Sequence, residues 1–130
     1  MIQGIGVDLI EIERIRASIE EFGETFLRKI FTDEEIAYCR SRKNPVQHFA
    51  ARFAAKEAVS KALATGWSGE FEWKNIEVSN ELSGKPLIVL HGKTAEALDK
   101  SVIHISLSHS DSSVAAFAVI EKMETAAATS

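Results

Sequence analysis

Alternation of small, apolar and polar residues opens the chain. Ile2, Gly4, Gly6, Asp8 and Ile10 fall on one side of a strand, and Ile5, Val7 and Leu9 on the other, so one face is small and carries a carboxylate. From Glu11 the period changes to that of a helix, with Ile12, Ile15, Arg16 and Ile19 in register until about Gly23. Phe26, Leu27, Ile30 and Phe31 predict a short second helix. Thr32 followed by Asp33, Glu34 and Glu35 is a helix start, with Glu35 at capping-box distance. Asn44-Pro45 predicts an N-cap and a first-turn proline, opening a helix that runs to Thr65 and stops at Gly66. Strands are expected at Asn75 to Ser79 and Pro86 to Leu90, joined around Ser83-Gly84-Lys85. A short helix over Lys93 to Asp99 and strands over Val102 to Ser108 and Val114 to Glu121 follow, the last two separated by Ser110-Asp111-Ser112. One domain over residues 1–121 is expected, with 122–130 as a frayed tail.

The long helix does not pattern like an ordinary surface helix. Ala51, Ala55, Ala58 and Ala62 form a narrow seam that lets another element approach closely. On the other side Phe49, Phe53, Val59 and Leu63 alternate with Arg52, Lys56, Glu57 and Lys61. Pattern alone favours solvated charges on snorkelling stems, with Glu57 paired to Lys61 one turn later. The second reading joins Glu57 to Asp8: two carboxylates can supply oxygens to Mg²⁺, with Lys61 beside them to neutralise a substrate phosphate. Spacing leaves both readings open.

Composition narrows the classes. The chain has 130 residues, 45% hydrophobic and 26% charged, and a net charge of −4, which argues against nucleic acid as the main partner. Its longest apolar run, Val114 to Ile120, is too short to span a bilayer, so no membrane association is expected. A lone Cys39 excludes an internal disulfide framework, and with no signal segment in evidence a cytoplasmic setting is expected. His48, His91 and His104 share no metal-ligand spacing with one another or with Cys39. Gly4 and Gly6 lack the rest of a dinucleotide or Walker fingerprint, which leaves close backbone packing as their simpler use. Charge is sorted along the chain: residues 1–61 hold ten Lys/Arg against ten Asp/Glu, residues 62–130 five against nine, and every arginine lies at or before Arg52. That half can receive an anion.

Four stretches in order, GIGVDLIEIERI at 4–15, RFAAKEAVSKAL at 52–63, Ser83-Gly84-Lys85-Pro86 and ISLSHS at 105–110, resemble the holo-(acyl carrier protein) synthase family, the small 4′-phosphopantetheinyl transferases. The resemblance implies an α+β fold, with helices on a small, mostly antiparallel sheet, and a homotrimer whose active sites lie at subunit interfaces. It implies Mg²⁺-dependent transfer of the phosphopantetheine arm of coenzyme A to a serine of an apo acyl carrier protein, releasing adenosine 3′,5′-bisphosphate. Asp8 and Glu57 match the metal-binding positions, and Glu57, directly or through a metal-bound water, is also the candidate base. Lys61 matches the pyrophosphate contact; Arg52, His109 and Lys43 are assigned to the adenosine 3′-phosphate. Arg14, Arg16 and Arg28 are the candidates for meeting the acidic carrier. Glu20, Glu21 and Glu24 depart from the family's expected basic surface there, and Arg28, Lys29, Arg40 and Arg42 are expected to compensate from the next helices. An apolar strand at Val114 to Ile120 with no polar face fits burial beyond one small sheet.

Overall fold

The computed structural model describes residues 1–64 and 71–124. In chain order the elements are β1 (Ile2–Glu11), α1 (Ile12–Phe22), α2 (Glu24–Ile30), α3 (Asp33–Arg40), α4 (Pro45–Leu63), a 3₁₀ turn (Trp73–Asn75), β2 (Ile76–Asn80), β3 (Pro86–Leu90), α5 (Gly92–Ala97), β4 (Ser101–His109) and β5 (Ser113–Lys122). The predicted Thr65 end and Gly66 stop of the long helix lie outside the described residues, as does most of the predicted tail. Lys122 belongs to β5 rather than to a tail, because its amide donates to the carbonyl of Met1.

The strands form two antiparallel sheets where one was expected: β1-β5-β4 and the β2-β3 hairpin. Gly4, Gly6, Asp8 and Ile10 pair with Ile120, Ala118, Ala116 and Val114, and these four partners face the core together. Helix α4 lies across that inner face. A Cβ on Gly4 would collide with the carbonyl of Ala62, and one on Gly6 with the carbonyl of Ala58 and the amide of Ala62. The two glycines and the alanine seam are therefore one device, which brings strand and helix backbones into contact. This fixes Asp8, two residues on, beside the helix.

The alternation of β5 shows only one of its faces buried. Val114, Ala116, Ala118 and Ile120 are core, while Phe117 on the opposite face is 45% exposed. That outer face continues onto β1, where Ile5, Val7 and Leu9 are all more than half exposed, and onto Val102 of β4. An apolar sheet face this continuous is uncommon on an isolated domain.

The long helix is buried nearly all round, which corrects the expectation of a solvated charged face. Phe49, Val59 and Leu63 are core, Arg52 is only 4% exposed, and Lys56 has no exposed surface. Lys56 is neutralised by Glu35 of α3, Nζ to Oε1 at 2.7 Å, and donates to the carbonyls of Trp73 and Ile76. Its three ammonium protons thus have three acceptors. Glu35 also accepts from the amides of Thr32 and Val78, so the predicted capping box doubles as the counterion of a buried lysine. One ion pair ties α3, α4 and the start of the hairpin together.

Candidate active site

Two half-sites flank α4. Around a helix, positions five apart are separated by about 140°, so Arg52 and Glu57 point to different sides. On the β1 side, Asp8, Leu9, Ile10, Arg14, Phe53 and Glu57 line a cavity of about 100 Å³. The strand supplies Asp8 through the glycine contact and the helix supplies Glu57. Burial and then the charge of Asp8 push the Glu57 carboxyl above its ordinary value, with Lys61 and Arg14 opposing. The two carboxylates are thus close enough to repel one another.

Lys61 does not pair with Glu57 as the i,i+4 spacing predicts. Its Nζ donates to Asp8 Oδ1 and to the carbonyl of Val7, both at 3.1 Å. Helix packing against β1 presents these acceptors to the ammonium, and a strand neighbour displaces the helical one. Among the described residues no group of three His, Cys, Asp or Glu converges as a complete metal cage. Two carboxylates in mutual repulsion, with no soft donor, fit a hard cation that takes its remaining ligands from water and phosphate.

On the other side of α4 lies a cleft of about 430 Å³, walled by α4, β4 and the hairpin turn. Arg52 and His109 line it together, with Lys85 from the Ser83-Gly84-Lys85-Pro86 stretch and with His48 and Asn80 as polar neighbours that sequence reasoning did not assign to a site. The guanidinium of Arg52 packs on the Tyr38 ring at 4.1 Å, and its Nη2 donates to Asn80 Oδ1 at 2.8 Å. The Nε of Arg52 is buried and has no partner among the described residues. Burial, then the charges of Arg52, Arg42 and His109, hold the His48 ring below its ordinary pKa, which marks the cleft as cationic.

His109 also lines an adjoining cleft of about 370 Å³ with Lys43, Arg16 and the start of α4. Lys43 and Arg52 therefore flank His109 from two clefts rather than sharing one. Asp8 and Glu57 line neither of these clefts.

The expected carrier-binding arginines divide. Arg14 is exposed at the rim of the carboxylate cavity. Arg16 pairs with Glu13 at 3.1 Å, one turn back. Arg28 is occupied by Glu24 and Asp33, and Arg40 also pairs with Glu24. Arg28 and Arg40 are thus spent on neutralising Glu24, leaving Glu20 and Glu21 exposed at the far end of α1. Cys39 is fully buried and its thiol is pushed up to about 12 by burial, so it is inert packing.

Comparison with known proteins meets this geometry from the other direction. The family model of the 4′-phosphopantetheinyl transferase superfamily matches residues 4–118. The chain is 45% identical over 124 residues to the holo-[acyl-carrier-protein] synthase of Koribacter versatilis, covering 93% of this chain and 99% of that one. The solved structure of the Neisseria meningitidis synthase superposes with a TM-score of 0.84 at 37% identity, covering 94% of this chain and 100% of the other. A Bacillus anthracis synthase solved in complex with CoA (3′,5′-ADP) matches with a TM-score of 0.77 at 36% identity, over 94% and 98% of the two chains. All four stretches read from the sequence fall within the matched span, on the elements that build the two half-sites, and the chain belongs to the 4′-phosphopantetheinyl transferase superfamily.

Proposed function

We propose that this chain transfers the 4′-phosphopantetheine moiety of coenzyme A to a serine of an apo acyl carrier protein, giving the holo carrier and adenosine 3′,5′-bisphosphate. The observation that carries the reading is the meeting of Asp8, Glu57 and Lys61 around one edge of α4 in a chain of this family. Asp8 and Glu57 are the residues that would hold Mg²⁺. Bound there, the ion would offset charge on the coenzyme A pyrophosphate.

The residues divide the work. In the reaction the serine oxygen bonds to the phosphorus bearing the pantetheine arm, and the bond from that phosphorus to the bridging oxygen breaks. Glu57 receives the hydroxyl proton, a role supported by burial and the neighbouring Asp8 charge, which raise its carboxyl above the ordinary value. Lys61 shifts from Asp8 to the pyrophosphate and neutralises charge that grows on the leaving group. Arg52 and His109, assisted by Lys43 from the adjoining cleft, hold the adenosine 3′-phosphate; the unpaired Nε of Arg52 supports this by leaving a buried donor for a ligand to satisfy. Arg14, at the cavity rim, meets the carrier, with Arg16 and Arg28 as secondary contacts drawn from their ion pairs.

The assembly in this reading is a homotrimer with active sites between subunits, and the transferase domain runs from the start of the chain to the end of β5 at Lys122. Two facts support it: among the described residues nothing covers the outer apolar face of β1 and β5, and the carboxylate cavity and cationic cleft have no lining residue in common. Leu9→Glu should then shift the mass seen by light scattering from trimer to monomer; an unchanged mass would remove this face from the interface. Among the described residues no helix is long and apolar enough to cross a membrane, and a cytoplasmic setting in lipid or related carrier-dependent synthesis completes the proposal. The direct test incubates the protein with coenzyme A, Mg²⁺ and an apo carrier, then weighs the carrier. A gain of one phosphopantetheine is expected, absent with Glu57→Gln; no gain, or full gain with that variant, overturns the reaction or the role of Glu57.

A further inference from the structure

Asn80, the last residue of β2, makes two hydrogen bonds of opposite sense. Its Oδ1 accepts from Nη2 of Arg52 at 2.8 Å, and its Nδ2 donates to the carbonyl of Gly84 at 2.9 Å. A guanidinium only donates and a carbonyl only accepts, so a single amide orientation satisfies both. An aspartate would hold Arg52 but repel the Gly84 carbonyl, and an apolar residue would do neither. Arg52 is thus fixed at two points, by the Tyr38 ring and by Asn80, with Nε left unpaired at the cleft. Gly84, at φ 92°, and Lys85 belong to the hairpin turn that walls the same cleft. Asn80 is the side chain that sets the arginine and the turn relative to one another.

The geometry points to Asn80 as a positioning residue for the nucleotide end of coenzyme A: anchored to the hairpin turn through the Gly84 carbonyl, it orients Arg52 toward the 3′-phosphate. The inference rests on the reading above, in which the cationic cleft takes the adenosine bisphosphate. It adds that selectivity for the 3′-phosphate depends on an uncharged amide that does not itself carry the positive charge. Without Asn80, Arg52 keeps only its packing on the Tyr38 ring and loses the hydrogen bond that sets the direction of its guanidinium at the cleft.

The test compares coenzyme A with dephospho-coenzyme A, which lacks only the 3′-phosphate, in carrier modification by the full-length protein. Asn80→Ala is expected to lower the ratio of the two kcat/KM values about tenfold, equivalent to about 1.4 kcal/mol. Arg52→Ala should lower that ratio at least as much, and adding Asn80→Ala to it should lower it no further, because the amide acts through the arginine. A merely structural role would reduce both kcat/KM values alike and leave their ratio fixed. The inference is overturned if Asn80→Ala leaves the ratio unchanged while Arg52→Ala lowers it, or if the two effects add in the double variant. If Arg52→Ala itself leaves the ratio unchanged, the assignment of the cleft to the 3′-phosphate falls, and the role of Asn80 with it. Urea melts of each variant check folding; loss of fold in Asn80→Ala is replaced by Asn80→Ser, read by the same ratio.

Discussion

Lys56→Met is the perturbation that most directly probes how this chain holds its site together. Methionine keeps an unbranched stem but removes the ammonium, leaving Glu35 as a buried carboxylate with only the amides of Thr32 and Val78, and leaving the carbonyls of Trp73 and Ile76 without their donor. Both members of the pair have fully buried side chains. Breaking such a pair by deleting one partner costs about 3–5 kcal/mol, against a total stability of about 5–15 kcal/mol for a domain. The melting temperature should fall by roughly 10–20 °C. Urea unfolding at one fixed protomer concentration measures the loss, since the proposed assembly would make stability depend on concentration. Glu35→Gln/Lys56→Met, which removes the stranded charge, should be more stable than Lys56→Met alone. For contrast, Arg16→Ala breaks an exposed pair with Glu13 and should cost about 0–1 kcal/mol. A loss below about 1 kcal/mol for Lys56→Met, or a double variant whose loss is the sum of the single ones, would refute the reasoning.

Three further outcomes follow from the same geometry. The Glu57 carboxyl is raised in the folded chain, so the stability it contributes is fully present below its unfolded value near 4.5 and is lost as pH rises through the folded value. In metal-free buffer Glu57→Gln should therefore melt higher than the parent at neutral pH, with the difference closing toward pH 4; adding Mg²⁺ should raise the parent's midpoint and not the variant's. Gly6→Ala places a methyl group into the carbonyl of Ala58, and because that contact is backbone against backbone the loss should be at least about 3 kcal/mol in urea unfolding, with a smaller loss counting against the strand–helix contact. Arg14→Glu should raise the KM for carrier more than that for coenzyme A, and equal changes would count against carrier docking at the cavity rim.

What was legible in the sequence was local. The change of period at Glu11 marks the end of β1, and Thr32 with Glu35 forms the capping box that its spacing predicts. Gly4 and Gly6 serve close packing, as the missing fingerprint residues imply. What pattern missed was decided by partners far along the chain. A helical wheel sends Lys56 to solvent, but its acceptors lie on α3, the 3₁₀ turn and β2, 17 to 21 residues away. Lys61 goes to Asp8, 53 residues earlier, in place of its helical neighbour Glu57. Asn80 carries no motif at all; only the folded turn puts a guanidinium on one end of its amide and a carbonyl on the other.

The same contrast explains how an acidic chain can present poles of both signs. Helix α4 carries four charged side chains, and its packing sends them to three destinations. Lys56 is consumed in the core, Glu57 and Lys61 face β1, and Arg52 faces the hairpin cleft. Sorting by destination, rather than by net charge, creates a carboxylate pole and a cationic pole on one rigid rod. In the proposed reaction these poles take opposite ends of coenzyme A's charged segment, the metal-bound pyrophosphate and the 3′-phosphate. A rod with poles on different sides cannot present both to one extended molecule unless the ligand turns around the helix or the second pole comes from a neighbour. The uncovered sheet face of β1 and β5 supplies the neighbour in the proposed trimer, and that is why the small-residue packing at Gly4 and Gly6 matters beyond stability: it sets the strand that carries both Asp8 and the apolar residues of that face.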